Sequence, residues 1–368
     1  MIKSLQRNCW SILGLPFDVV NMQQAVDHVI NAIDTQQRCF LSTPNLNFAI
    51  ACQRDADFYQ SVIDSDLSTA DGMPLIWIAK LLGIPITERV AGSSLFERLS
   101  STTRTNKIKV FFFGGEQGVA ERALVQLNAN SVGMVGCGFY DPGFVKVDDM
   151  STPDVIDMIN ASQPDFLVVA LGAKKGQAWI QKNCHQLNAP VISHLGAVIN
   201  FVAGSIERAP ILWQRLGMEW LWRIRQEPNL WRRYFFDGLA FVKLLLLNVL
   251  PLALYDQWLK KTADYHLPID LTSHQAEINL INLAGSIHYG NLEKIKLLFS
   301  EVLKQNNNRN VELNCCDLSY IDGAFIATLL LFQSCLNEQG CHIRLVKLTS
   351  RIKRLLKFNN VLNRFQHK

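Results

Sequence analysis

Between positions 38 and 194 the apolar residues come in short runs, and two kinds of run alternate. CFLS, DLST, KVFFFGG, VGMVG, DFLVVALG and PVISH are brief, rich in β-branched and aromatic residues, and several end in Gly, Asp or Asn. PLIWIAKLLG, GVAERALVQLN and QAWIQKNCHQL lie between them with helical spacing. Strand–helix alternation at this spacing predicts a mostly parallel sheet covered on both faces. Ligands of such sheets bind beyond the carboxyl ends of the strands. Thr43, Asn45, Asp71, Gly114 and Gly172 each follow a strand-like run, so the pattern gathers them on one rim.

The pattern changes twice further on. Residues 235–254, FFDGLAFVKLLLLNVLPLAL, form the most apolar stretch, yet carry Asp237, Lys243, Asn248 and Pro251. The longest charge-free run there is 12 residues, Leu244 to Tyr255. A spanning helix needs roughly 20, so the segment is expected either to lie at a membrane interface or to pack in a core. From His266 the texture is again strand and helix. AEINLINLAGSIHY, RNVELNCCDLS and CHIRLVKL read as strands; GNLEKIKLLFSEVLKQ, GAFIATLLLFQSCLNEQ and SRIKRLLKF read as helices. That is enough for a second small α/β domain.

Composition sharpens this picture. Of 368 residues 49% are apolar and 18% charged, which supports sizeable cores and excludes a disordered chain. A mean hydropathy of +0.09 fits one unusually apolar segment. The nine cysteines show neither metal-type spacing nor a disulfide framework, as expected of a reducing cytosol. The adjacent Cys315 and Cys316 read as core. The N-terminal MIKSLQRNCWSILGLPFDVV lacks a long apolar region and reads as mature sequence. The net charge is +4, and the window 207–261 alone accounts for it, with nine Lys and Arg against five Asp and Glu. Five of the eight tryptophans, 213, 220, 222, 231 and 258, fall in the same window. Basic residues interleaved with Trp suit an anionic membrane surface or a diphosphate-bearing ligand. No nucleic-acid motif accompanies them, so no nucleic-acid partner is expected.

Several residues have the chemistry of a site. In Ala70-Asp71-Gly72-Met73-Pro74 a short carboxylate follows a strand and a helix opens behind it. Asp71 fits two roles there: a base for a substrate hydroxyl, or a cap on the helix. Thr43 and Asn45, in Ser-Thr-Pro-Asn, either meet sugar hydroxyls or an acetamido group, or form a turn and helix cap. Phe-Gly-Gly-Glu-Gln-Gly, with Gly114 and Gly115, lets backbone N–H groups approach phosphates at a helix N-terminus. A tight turn accounts for it equally well, because it is neither the spaced dinucleotide fingerprint nor a P-loop. Arg89, Arg208, Arg223, Arg225, Arg232 and Arg233 offer planar forks matched to diphosphate oxygens. His194 reads as a packed histidine. No His/Cys/Asp/Glu constellation for a metal and no nucleophile elbow is present in the sequence.

In order, eight blocks resemble one family. They are TPN (43–45), ADGMPL (70–75), RVAGSSLF from Arg89, FFFGG (111–115), LGAKKGQAWI from Leu171, GAVINFVAGSIERAP (196–210), GMEWLWR (217–223) and EPNLWRRY from Glu227. Residues 13–234 are similar to the WecG/TagA/CpsF glycosyltransferases. The resemblance implies an inverting, metal-independent enzyme without a cofactor. Its donor would be a UDP-linked N-acetylmannosamine, its uronic acid or a related sugar. Its acceptor would be polyprenyl-diphosphate-linked N-acetylglucosamine, in exopolysaccharide or cell-envelope polysaccharide assembly. Asp71 matches the proposed base of the family, Thr43, Asn45 and Gln177 the acceptor side, and Arg89 an active-site arginine. For UDP and its diphosphate the corresponding residues are Gly114, Gly115, Asn200, Arg208, Arg223, Arg232 and Arg233. The family's basic C-terminal appendage, which aids membrane association and closes over the active site, matches the Trp/Arg-rich segment.

Three departures bear on the sugar more than on the reaction. Lys174-Lys175-Gly176-Gln177 stands where the family reads Pro-Lys-Gln-Glu, leaving Gln177 one position from the usual Gln. Asn200 replaces a common Asp. An Arg common after Glu-Pro is absent around Leu230, with Arg232 and Arg233 to substitute. Residues 266–368 resemble a STAS domain through ELNCCDLSYIDGAFIATLLL. Gly323 and Ala324 follow Asp322 where regulated members carry a phosphorylatable Ser, so a switch of that type looks lost.

The expected architecture is therefore α/β. A Rossmann-like, mostly parallel sheet with a basic helical appendage spans 1–234, an apolar surface or linker helix 235–265, and a small α/β STAS-like domain 266–368. The expected protein is a UDP-sugar-dependent hexosyltransferase, cytoplasmic and peripheral on the inner face of a bacterial membrane. Its STAS-like domain is open to a protein partner. The alternatives are a catalytically inactive binding protein working through the STAS-like domain, and a nucleotide-dependent oxidoreductase. The missing glycine fingerprint counts against the oxidoreductase.

Overall fold

The computed structural model of the protein describes residues 5–210, 212, 213, 217–275, 279–306 and 309–365. Its chain forms two compact units, and neither is one continuous stretch. The first comprises Val20–Ile76 and Thr87–Asp237; the second comprises Met1–Val19, Trp77–Ile86 and Gly238–Lys368.

The first unit is built on six strands: β3 (Cys39–Ser42), β4 (Leu67–Ser68), β5 (Ile108–Gly114), β6 (Met134–Tyr140), β7 (Phe166–Ala170) and β8 (Val191–His194). They lie in the order β4-β3-β8-β7-β5-β6, and every pairing is parallel. The mostly parallel α/β sheet read from the sequence is present. Alternation along the strands separates two cores. Val110 and Phe112 of β5 join Phe166 and Val168 of β7 on one face, with Val26, Phe96, Leu99 and Leu127 from the covering helices. Phe111, Phe113, Leu167 and Val169 point the other way, onto Trp179 and Ile180. From β3 the chain steps out to β4 at one edge, then crosses to β5 and β6 at the other, and β7 and β8 fill the gap. The carboxyl ends of β4, β3, β8, β7 and β5 thus line one rim.

The second unit holds the STAS fold, Trp77–Ile86, the helical stretch from Gly238 and one N-terminal addition. Its sheet runs β12 (Ile343–Val346), β11 (Val311–Ile321), β10 (Asn279–Ile287), β9 (Asp270–Gln275), with only the β9–β10 pair antiparallel. Strand β9, DLTSHQ, is too polar to stand out in the sequence. The addition is an N-terminal hairpin, β1 (Cys9–Ile12) with β2 (Leu15–Asp18). Leu5, Ile12, Leu15 and Phe17 are buried, and Trp10 and Ser11 pack against Gly323 at the start of the helix Gly323–Glu338. That helix is apolar on all sides, and such a helix needs cover on all sides. Phe332 stacks on Phe299 of the helix Leu292–Gln305 at a centroid distance of 4.0 Å, and the hairpin covers another side. The tight Leu13-Gly14 turn sits on Asn359 and Val361; Gly14 has φ +87°, and a Cβ there would press on the Asn359 carbonyl. None of the nine cysteines is joined in a disulfide. Cys315 is core as expected, but Cys316 is exposed, because successive strand residues point to opposite faces.

Residues Pro228–Leu259 form one helix of 32 residues, with mean hydropathy 1.9 over its most apolar window and 22% of that window buried. By length and composition alone it could cross a membrane, although its charge-free run is only 12 residues. Only the smaller part of that window is buried, and the rest is half-buried or exposed. Its helical ladder widens to π spacing over Leu245–Val249. The reason lies two residues on: Pro251 lacks an N–H and its ring clashes with the carbonyl four residues earlier.

Candidate active site

Asp71 ends the short segment after β4 that is held to the end of β3. Thr69 N–H donates to the Ser42 carbonyl at 3.0 Å, and Asp71 N–H to the Pro44 carbonyl at 3.0 Å. Val90 N–H closes back on the Ala70 carbonyl at 3.0 Å, while the Thr69 hydroxyl donates to the Val90 carbonyl at 2.9 Å. Three loops are therefore laced together by backbone bonds, and they fix where Asp71, Thr43 and Arg89 stand. Gly72, at φ +142°, makes the turn that the helix Met73–Leu81 then leaves.

The Asp71 carboxylate accepts the Gly92 backbone N–H. Gly92 is glycine for a steric reason: a Cβ would collide with Leu195 and press on Thr43 Oγ1 at 3.2 Å. The Asp71 carboxyl is pushed up to about 6, first by burial, although part of its surface meets solvent. Arg89 pulls it down, Glu219 pushes it up, and the Gly92 amide and Arg223 pull it down. Arg89 makes a two-bond ion pair with Glu219, Nη1 to Oε2 at 2.7 Å and Nη2 to Oε1 at 2.8 Å. Glu219 opens the helix Glu219–Gln226, which also carries Arg223. A carboxyl that titrates near 6 is ionised at neutral pH and can still take a proton.

The other expected residues divide. Thr43 is buried beside Gly92. Asn45 caps the helix Leu46–Cys52, its Oδ1 accepting the Phe48 N–H at 3.1 Å, with its Cβ 3.8 Å from a Cβ built on Gly72. The cap half of its two sequence readings is thus present, close to the Asp71 turn. Gln177 is only 1% exposed and donates from Nε2 to Ser42 Oγ at 3.1 Å, so it braces the end of β3 from within. Its Oε1 has no hydrogen-bond partner. Gly176 beside it leaves room for His194, whose ring a Cβ at 176 would strike. His194 is buried, bonded to the Leu171 carbonyl at 2.6 Å, and its pKa is lowered by burial; it is the packed histidine expected.

Gly114 and Gly115 have φ +94° and +100° at the end of β5. A Cβ on Gly114 would press on Ala170 of β7, and one on Gly115 on Ile199. Close packing thus demands these glycines. Asn200 lies in the helix Val198–Val202, next to Ile199. Arg208 is tied to Glu97 and donates to Ser94 Oγ at 2.9 Å. Arg223 pairs with Glu227 at 3.6 Å and still acts on Asp71. Arg225, Arg232 and Arg233 lie over the rings of Trp222, Trp231 and Tyr234. The structure thus brings Asp71, Thr43, Arg89 and Arg223 together, and adds Glu219 and Gly92, which the sequence did not single out. Two clefts in this unit lie apart from Asp71. One of about 580 Å³ is lined by Asn21, Glu88, Glu97 and Arg98 among others, and one of about 200 Å³ reaches Arg208. Among the described residues no group of three or more His, Cys, Asp or Glu could hold a metal ion.

Known proteins give this geometry a context. The N-acetylglucosaminyldiphosphoundecaprenol N-acetyl-beta-D-mannosaminyltransferase of Bacillus spizizenii is 29% identical over 201 residues, covering 55% of this chain and 76% of that protein. Proteins of the same name from Bacillus subtilis and Staphylococcus aureus strain MW2 are each 25% identical, over 224 and 227 residues. They cover 61% and 60% of this chain, and 86% and 85% of their own lengths. The pattern of the STAS domain matches residues 271–367. That of the Glycosyl transferase WecG/TagA/CpsF family matches residues 10–253, well over half of the chain, so the protein belongs to this glycosyltransferase family and carries a STAS domain behind it.

Proposed function

We propose that the protein transfers N-acetylmannosamine, or a closely related N-acetylhexosamine or its uronic acid, from UDP to polyprenyl-diphosphate-linked N-acetylglucosamine. The observation that carries this reading is the Asp71 carboxyl at the strand rim, poised near 6 between Arg89, Glu219 and Arg223. The names of the relatives supply the sugar and the lipid acceptor.

In this reading Asp71 takes the proton of the acceptor hydroxyl as its oxygen bonds to the anomeric carbon. The anomeric carbon–oxygen bond to the diphosphate breaks in the same displacement, with inversion, and UDP leaves with the electron pair. Arg223, with Arg208, Arg232 and Arg233 from the basic appendage, stabilises the charge growing on that diphosphate. Thr43 and Asn45 meet the acceptor sugar, and Gln177 steadies the strand end beneath them. Gly114 and Gly115, at the end of β5, and Asn200, in the helix Val198–Val202, are assigned to the nucleotide. No cofactor or divalent metal takes part. The enzyme works on the inner face of a bacterial membrane, where a lipid-anchored acceptor is found.

The test is direct. Purified protein is given a panel of UDP-N-acetylhexosamines and a short lipid-diphosphate N-acetylglucosamine, and the products are read by mass spectrometry. A disaccharide product with one donor preferred supports the reading. A folded protein that transfers no sugar from any donor leaves the inactive, STAS-centred alternative.

A further inference from the structure

Within the second unit the apolar helix has two unlike sides. Leu244, Val249, Leu252, Ala253 and Leu259 are buried. Two of its polar side chains are tied to the STAS domain: Asn248 Nδ2 donates to Asn360 Oδ1 at 2.8 Å, and Tyr320 donates its hydroxyl proton to Asp256. On the other side Leu239, Val242, Leu246, Leu247, Leu254 and Trp258 are each at least half exposed. The π segment keeps that stripe straight. Leu254 is eight positions beyond Leu246, which in an unbroken α-helix puts it about 80° out of line. Absorbing one residue in the wider turn cuts the offset to about 20°.

A basic edge borders the stripe. The helix Ser350–Phe358 buries Ile352, Leu355 and Leu356 and exposes Lys353, Arg354 and Lys357. The Arg354 guanidinium lies 5.2 Å over the ring of Tyr255, and Tyr255 stacks on Trp258 at 5.7 Å. Arg354, Tyr255 and Trp258 thus run in contact from the basic helix to the exposed apolar side.

We propose that the STAS domain of this chain is a membrane-docking base: its basic helix Ser350–Phe358 and the apolar stripe Leu239–Trp258 together form one surface that lies flat on an anionic bilayer. Charge complementarity selects the occupant. Apolar side chains enter the acyl boundary while Trp, Lys and Arg meet the head groups. Spanning would need about 20 residues in hydrocarbon. Every such window in this helix either runs past Leu252, toward the Asp256 that Tyr320 of the STAS domain holds, or includes Arg233, Asp237 and Lys243. The domain therefore holds the helix in the membrane plane. The proposal rests on the transferase reading only for its expectation of a lipid-borne acceptor; vesicle binding is measured without turnover, so either can fail alone.

The experiment uses the full chain and sedimentation with vesicles of phosphatidylcholine, alone or with roughly a third phosphatidylglycerol. Binding is expected only with the anionic lipid and to weaken in high salt. Lys353→Glu with Lys357→Glu should weaken it at least about tenfold, and Leu246→Ser with Leu254→Ser should abolish it. Transfer to a short soluble acceptor should be unchanged in both pairs, which also reports that they fold. Binding that ignores salt and the lysine reversal, and yields only to detergent, would show a spanning helix and overturn the proposal. So would a wild-type dimer in solution that the leucine pair makes monomeric, since a second copy would then cover the stripe.

Discussion

Arg89 and Glu219 stand 130 positions apart and meet as a two-bond ion pair within electrostatic reach of Asp71. The pair occupies the Arg89 guanidinium, which would otherwise draw the Asp71 carboxyl down more strongly. Glu219→Gln should therefore let the Asp71 pKa fall. The acidic limb of kcat/KM against pH, expected near 6 in the wild type, should move to lower pH. An unmoved limb in an active Glu219→Gln enzyme would remove Glu219 from this role.

Asp71→Asn should cut turnover by about 10²-fold or more, the scale of a lost general base, with UDP binding little changed. The same change should not destabilise the fold. An aspartate whose pKa is raised on folding holds its proton more tightly folded than unfolded, so its ionisation costs stability as pH rises from about 4 to about 6. Removing that charge should raise stability at neutral pH by roughly 1 kcal/mol, allowing for the part of the side chain in solvent. Loss of activity with an unchanged or higher Tm is the expected signature; a large drop in Tm would mark Asp71 as structural.

Activity should survive excess EDTA, since fixed arginines are assigned the charge of the departing diphosphate. Loss of activity under EDTA that Mg²⁺ or Mn²⁺ restores would contradict this. Arg223→Ala should lower kcat with a metal present or absent.

The N-terminal hairpin should be required by the STAS domain. Ile12 is fully buried in the hairpin that covers the helix Gly323–Glu338, so Ile12→Ala should cost about 2–4 kcal/mol of that unit's stability. Deleting residues 5–19 should expose the helix and make the chain aggregate. Ending the chain after Lys261 should do the same from the other side, by leaving Leu15, Phe17, Val249 and Leu252 without cover. Proteolysis and thermal melts read both. A folded, soluble chain lacking residues 262–368 would show that the hairpin packs elsewhere.

The sequence by itself determined what depends on neighbours along the chain. Short apolar runs such as KVFFFGG and DFLVVALG became β5 and β7, and the three STAS helices beyond position 290 fell where their apolar spacing put them. Asp71, Thr43 and the two glycines were legible because strand ends and tight turns leave local marks. What only the tertiary structure decided are the pairings of distant positions. Glu219 reads as one more surface acid until it closes on Arg89, and Gly176 reads as a weak helix residue until the His194 ring fills the space a Cβ would take. Residues 9–18 precede the transferase sheet in sequence yet pack on the STAS helix, and Asn248 interrupts an apolar run because Asn360 needs it. A contact between positions on different elements leaves no periodic signal in either stretch, since each residue alone satisfies its local helix or strand. Only folding, by burying both, reveals which polar group answers which.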